Sequence, residues 1–168
     1  MTPKLKIFLL VTPLVVLLDQ FTKYLVNTHL APYASITVVE NFIHLSHVRN
    51  PGGAFGVLSW VGPNFFVVIA GLAIGVVFIF FWSLGRDQRL PATALSLILG
   101  GAVGNLADRV RLGSVVDFID VHWHSLRWPA FNVADAAITV GVVLLVVELL
   151  TTESHKRQEL VGESAPAD

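Results

Sequence analysis

The chain has 168 residues, is 54% hydrophobic and only 14% charged, and its mean hydropathy is +0.71. A soluble domain carries about 25% charged residues, so this composition points to a membrane. The net charge of −1 gives no electrostatic case for nucleic acid, and the absence of cysteine excludes disulfides, thiolate metal sites and a cysteine nucleophile.

The length fits one small membrane-embedded domain, residues 1–168, largely used up by four spans of about 20 residues each. Residues 1–6, MTPKLK, form a basic tip, and an apolar run follows over 5–26. A cleaved signal peptide would share the basic tip and apolar core. The run, however, continues as DQFTKYLV after Leu18 with no small-x-small cleavage site, as a retained span would. Pro13 is tolerable inside a transmembrane helix.

Residues 27–62 make the first long loop. ITVVENFIHLSHV is rich in β-branched and aromatic residues and partly alternates, which predicts one or two short strands. NPGGAFG, residues 50–56, follows as a turn-forming stretch where backbone can approach a ligand closely. Residues 64–84 carry no charge and form the cleanest span. Gly71 and Gly75 in it make a G-x-x-x-G pattern, read either as a close helix contact or as chance glycine. Trp82 lies near its end, where aromatic residues prefer the interface. GRDQRL, residues 85–90, is a tight polar turn.

The third span is 91–109, with Gly100, Gly101 and Gly104 thinning one stretch for close backbone approach. Residues 110–130 form the second long loop, in which SVVDFIDVHW alternates enough to be a strand. The fourth span is 131–152, and residues 153–168 form a polar tail, disordered at its end. Lys4, Lys6, Arg86, Arg89, Lys156 and Arg157 fall on one side, and Lys23, Arg49, Arg109, Arg111 and Arg127 on or near the other, a small bias. With the second group, mostly inside the polar motifs, set aside as site chemistry, the positive-inside rule makes the first side cytoplasmic together with both termini.

This topology brings the polar residues to the opposite face: Asp19 and Lys23 from span one, Asn50 before span two, Asn105, Asp108 and Arg109 ending span three, Asp117 in the outer loop, and Asn132 and Asp135 opening span four. Polar groups at the lip of hydrocarbon need a reason. No G-x-S-x-G elbow occurs, and Ser83 and Ser96 sit away from this cluster. His122-x-His124 and His44-x-x-His47 could ligate a metal, but no H-E-x-x-H or similar signature accompanies them, and interfacial histidines without a ligand are the simpler reading. That leaves the carboxylates. Two carboxyl groups a few ångströms apart share a proton near neutral pH, which suits general acid and base work on a peptide bond. Asp117 and Asp135 are the candidates. On residues alone two plainer readings stay open: Asp135 as a helix N-terminal carboxylate and Asp117 as a strand-edge surface residue. Arg109 is expected to be held by Asp108, Asp19 or another carboxylate.

The stretches DQFTK (19–23), NPGGAF (50–55), GGAVGNLADR (100–109), VVDF (115–118) and FNVAD (131–135), in that order and in a four-span frame, resemble the signal peptidase II family, the aspartic lipoprotein signal peptidases of bacterial membranes. The match covers nearly the whole chain. The resemblance implies an all-α membrane fold, a four-helix bundle with a small extracytoplasmic β-rich cradle. It implies Asp117 and Asp135 as the catalytic pair, with supporting or substrate-binding roles for Asp19, Lys23, Asn50, Gly52, Asn105, Asp108, Arg109 and Asn132, and neither cofactor nor metal. The substrate implied is a diacylglyceryl-modified prolipoprotein, cut just before the lipidated cysteine, with its lipid chains between helices. The place implied is the bacterial inner membrane, with the site at the periplasmic face of a monomer. One departure stands out: the family usually shows N-T-G-A-A-F where this chain has NPGGAF. Pro51 removes a backbone donor and Gly53 adds freedom, which bears on substrate contacts through this loop. Two other classes compete. A proton-coupled transporter would need midplane carboxylates, and a structural scaffold would tolerate loss of both Asp117 and Asp135.

Overall fold

The computed structural model describes residues 1–52, 62–124 and 126–163. Residues 53–56 of the glycine-rich turn and the tail end, 164–168, lie outside the described residues. Four helices dominate: α1 (Pro3–His29), α2 (Pro63–Ser83), α3 (Arg89–Leu112) and α4 (Val133–Glu163). All four are long and apolar enough to cross a membrane. Prolines open α1 and α2, where the missing N–H costs nothing and φ is already helical. Gly113, at φ 70°, ends α3 by donating its N–H to Arg109 O at 3.0 Å.

Three helices run further than the apolar pattern, α3 by two residues at its start and three at its end. Lys4 belongs to α1 rather than to a free basic tip, because its ammonium donates to the carbonyls of Trp82 (3.2 Å) and Leu84 (2.6 Å) and satisfies the open end of α2. The polar stretch expected to leave the membrane as a tail continues α4 as far as Glu163. Residues 153–161, ESHKRQELV, contain neither proline nor glycine, and several are strong helix formers, so nothing stops propagation.

Helix α3 is the hub, packed against α1, α2 and α4. Its glycines make that possible. A Cβ at Gly100 would lie 2.7 Å from the Val15 side chain on α1, one at Gly101 would meet the Ala134 carbonyl on α4, and one at Gly104 would lie 2.5 Å from Asp19 Oδ2. Gly71 and Gly75 on α2 differ: nothing lies within 4 Å of a Cβ at either, so the G-x-x-x-G pattern marks no packed contact among the described residues. The apolar side chains of α2 and α4 are largely exposed, as a helix facing hydrocarbon requires.

At one end of the bundle sits an antiparallel sheet in the order β1 (Ser35–Val39), β2 (Ile43–Asn50), β3 (Val115–Trp123), β4 (Leu126–Arg127). The first loop supplies two strands where one or two were expected, and the second supplies one more than expected. Val26 and Leu30 of α1 pack under Val116 and Phe118 of β3, which fixes the sheet to the bundle. A bulge sets the register near the site: Leu45 faces Ile119 and Val48 faces Asp117, so β2 spends one extra residue there. Asn50 lies two residues beyond Val48, on the same face and diagonal to Asp117. Phe131 bridges back to Ile119, which draws the start of α4 against β3.

Candidate active site

Asp117 is neither at a strand edge nor on the surface. Val48 of β2 faces it on one side, the Phe131 carbonyl takes the N–H of the next residue, Phe118, on the other, and Asp117 is 3% exposed. Its Oδ1 accepts Asn132 Nδ2 at 2.7 Å and its Oδ2 accepts Asn50 Nδ2 at 3.0 Å. Asp135 does sit in the first turn of α4, so the helix-terminal reading is correct as a description of its place. Asn132 and Asp135 form a reciprocal cap: Asp135 N donates to Asn132 Oδ1 at 3.0 Å, and Asn132 N donates to Asp135 Oδ2 at 3.2 Å. The other oxygen, Oδ1, accepts Asn105 Nδ2 at 2.7 Å.

Three asparagines therefore aim an NH2 group at the two carboxylates, and each is held in that sense by an obligate donor on its oxygen. Gly52 N–H donates to Asn50 Oδ1 at 3.2 Å, Asp135 N–H to Asn132 Oδ1 at 3.0 Å, and the Lys23 ammonium to Asn105 Oδ1 at 2.9 Å. A reversed amide would face donor against donor in each case.

Behind this layer lies a buried ion cluster. Lys23, 2% exposed, meets Asp19 Oδ2 at 2.8 Å and Asp108 Oδ2 at 3.0 Å. The carboxylates are used twice over: Asp19 Oδ1 accepts Ala134 N at 2.9 Å, and Asp108 Oδ2 accepts Val116 N at 3.1 Å. The two acids thus tie α1 to α4 and α3 to β3. Gln20, which the sequence reading passed over, stitches the same cluster by donating to Asp19, Asp108 and the Gly104 carbonyl, each at 3.1 Å. Its signal was available: an amide beside Asp19 at the lip of an apolar run.

Arg109 does not take the place expected for it. Among the described residues no carboxylate lies within ion-pair distance of it. Lys23 occupies Asp19 and Asp108, while Arg109 Nη1 reaches the Asn105 carbonyl at 3.3 Å and its guanidinium lies over the Phe66 ring, 5.8 Å from the centroid. A compact ammonium one helical turn from Asp19 fits the buried niche, and the larger guanidinium is left facing a cavity.

That cavity, of about 510 Å³, is lined by Asp117, Asp135, Asn50, Asn105 and Arg109, with a wall of Trp128 to Phe131. Burial pushes the Asp117 carboxyl up to about 6; Asp135 adds to the rise, while hydrogen bonds from Asn50 and Asn132 and the charge of Lys23 oppose it. A buried acid beside a second carboxylate, both facing one cavity, can hold and pass a proton. The histidines lie elsewhere: His47 Nδ1 donates to the Leu30 carbonyl at 3.0 Å, and the His44 and His122 rings meet edge to face at 4.7 Å. Among the described residues no three histidine or carboxylate side chains are gathered as a metal site.

Residues 11–151 match the family described as signal peptidase (SPase) II. The chain is 46% identical over 161 residues to a lipoprotein signal peptidase of Geobacter metallireducens, covering 95% of this chain and 99% of that protein. It is 48% identical over 144 residues to one of Syntrophotalea carbinolica, covering 84% and 89%. A solved structure described as a bacterial membrane enzyme, obtained by the in meso method at 2.3 Å resolution, superposes with a TM-score of 0.82 at 36% identity, over 89% of this chain and 90% of the other. With four helices able to span a membrane, a small antiparallel sheet at one end and a match over most of its length, the chain is a peptidase and belongs to the signal peptidase II family.

Proposed function

We propose that the chain is an aspartic endopeptidase that removes the signal peptide from diacylglyceryl-modified prolipoproteins, cutting just before the lipidated cysteine. The observation that carries this is the pairing of Asp117 and Asp135 across one cavity, delivered by β3 and α4, with N–H donors on both oxygens of each. Asp117 is the more buried and carries the shared proton. Asp135, in the first turn of α4, is the base, since the helix N-terminus favours its charge.

In the reaction Asp135 takes a proton from water as the water oxygen adds to the scissile carbonyl carbon, and Asp117 gives its proton to the carbonyl oxygen. The tetrahedral intermediate then collapses: Asp135 passes its proton to the leaving nitrogen, the C–N bond breaks, and Asp117 recovers the proton from the hydroxyl. The products are the signal-peptide carboxylate and the free amine of the lipidated cysteine. The Asn50 and Asn105 amides hold the carboxylates still, which reduces reorganisation in the transition state.

The sheet and the site belong at the periplasmic face of the inner membrane, with both termini in the cytoplasm. The exposed apolar sides of α2 and α4 leave room for lipid chains beside the site. Every group of the network comes from one chain, so a monomer suffices. Purified protein incubated with a lipidated and an unlipidated prolipoprotein tests the reading. Cleavage of the lipidated form alone is expected; equal cleavage of both, or of neither, would overturn it.

A further inference from the structure

Lys23 has three protons and three acceptors: Asp19 Oδ2 at 2.8 Å, Asp108 Oδ2 at 3.0 Å and Asn105 Oδ1 at 2.9 Å. An ammonium only donates, so the third contact fixes which end of the Asn105 amide faces it. The other end, Nδ2, then lies on Asp135 Oδ1 at 2.7 Å. We propose that Lys23 is a positioning residue for the peptidase reaction: through the Asn105 amide it holds a donor on Asp135 Oδ1 and so orients that carboxylate to accept the proton of water. The inference rests on the reading above and adds to it a cause for the fixed orientation of Asp135.

The alternative is concrete. Without the ammonium, Asn105 Oδ1 keeps only the Asn132 Nδ2 contact at 3.2 Å, from an amide whose main bond goes to Asp117 at 2.7 Å. The Asn105 amide is then free to turn over. A carbonyl oxygen facing Asp135 stabilises the protonated acid, because only the acid has a hydrogen to give it. Lys23 is well placed for this role and poorly placed for others. It is 2% exposed, does not line the cavity, and touches neither Asp117 nor Asp135.

Its charge also acts through space. The charged groups around Asp135 are Asp117 on β3, Asp108 and Arg109 on α3, Asp19 and Lys23 on α1, and Arg49 of β2 at the cavity wall. A double-mutant cycle separates the two routes, since removing Asn105 breaks the amide route and leaves all of these charges in place.

The experiment measures kcat and KM against pH for the full-length protein in lipid with a lipidated prolipoprotein, for wild type, Lys23→Met, Asn105→Ala and the double variant. Lys23→Met is expected to lower kcat by about 10- to 100-fold with little change in KM, as loss of a supporting hydrogen bond to a reacting group does. The acidic limb of its kcat profile should move to higher pH by about one unit. In the Asn105→Ala background the Lys23 substitution should add little to either. Should Lys23→Met fail to accumulate, Lys23→Met/Asp108→Asn, which keeps the net charge of the cluster, takes its place in the cycle. An unchanged pH profile for the Lys23 variant, or an equal loss in the Asn105→Ala background, would overturn the inference. A wild-type protein that cleaves nothing would instead overturn the peptidase reading itself.

Discussion

Asp19 Oδ1 on α1 accepts the backbone N–H of Ala134 at 2.9 Å, so a carboxylate 115 residues away closes the first turn of α4 beside Asp135. The helix can come that close only because α3, which lies between, is bare where the others pass. Gly104 leaves the space that Asp19 fills, and Gly101 lets the Ala134 carbonyl press against α3. The other carboxylate oxygen goes to Lys23, so the same residue links the helix start to the ion cluster.

A contrast between glycines follows. Gly101→Ala and Gly104→Ala should push α4 or Asp19 out of place, cost about 1–3 kcal/mol of stability as overpacking does, and reduce cleavage. Gly71→Ala and Gly75→Ala meet nothing within 4 Å and should change stability by no more than about 1 kcal/mol. Thermal unfolding in detergent, read beside cleavage of a lipidated substrate, checks both halves. Equal effects at the two pairs would show that α3 is not packed through its glycines.

The helices, the strands and the gathering of polar residues at one end were legible because each rests on a local pattern: apolar runs, alternation, and polar groups confined to the ends of those runs. What was illegible depends on which face of a helix is covered. The G-x-x-x-G of α2 and the glycines of α3 look alike in sequence, yet only the second set touches a neighbour. Arg109 and Lys23 are both cations beside acids, and only the fold decides that the smaller head group takes Asp19 and Asp108. Nor does the sequence show that Asp135 caps α4 or that Asp117 binds two asparagines from different elements.

Arg109→Lys keeps the charge but removes the planar fork that faces the cavity and stacks on Phe66. With no carboxylate holding Arg109 among the described residues, the donors beyond the one that reaches the Asn105 carbonyl can meet a substrate carbonyl. Loss of a charge-assisted hydrogen bond predicts a fall in kcat/KM of about tenfold or more, with expression near normal. Wild-type turnover would show that the guanidinium merely lies along the interface.

The raised Asp117 carboxyl has a sign in stability. Its pKa moves from 3.8 to about 6 on folding. The folded state therefore prefers the protonated acid, and that preference is fully present below about pH 4 and lost as pH rises through about 6. At 1.36 kcal/mol per unit, the loss amounts to about 3 kcal/mol. The melting temperature of the wild type should fall between about pH 4 and 6 and level off above that, and Asp117→Asn, which does not titrate, should flatten the slope. An identical slope in the variant would place the titration elsewhere.

Asp120 lies three residues from Asp117, on the other face of β3, and serves as a control. Burial alone would raise its carboxyl, but the Arg127 fork, at 2.6 and 3.2 Å, and His122, at 3.0 Å, outweigh burial and hold it below the usual range. The stability it contributes is present above about pH 4 and lost as pH falls further. The Arg127 side chain is 64% exposed, so the pair is worth no more than about 1 kcal/mol. Asp120→Asn should lower the melting temperature at pH 7 by no more than about 2–4 °C and leave cleavage near normal. A large loss of turnover in a folded variant would put Asp120 in the reaction.

The sharpest test remains the pair itself. Asp117→Asn and Asp135→Asn should each lower kcat by at least about 100-fold, since an amide neither takes the proton of water nor returns one to the carbonyl oxygen. Their structural consequences differ. Asp135 uses both oxygens, one for the Asn132 N–H and one for the Asn105 amide, so an asparagine there satisfies one donor and turns an NH2 on the other. That should weaken the start of α4 by about 1 kcal/mol, as loss of a helix cap does. Asp117→Asn faces the same conflict with Asn50 and Asn132, offset at neutral pH by relief from a buried charge. The two variants should therefore be equally inactive yet separable by melting temperature, with Asp135→Asn the less stable. The double variant should lose no more activity than either single one, because the two carboxylates act as a unit. If Asp117→Asn retains more than about 10% of wild-type turnover while Asp135→Asn does not, a single carboxylate suffices and the paired mechanism is wrong.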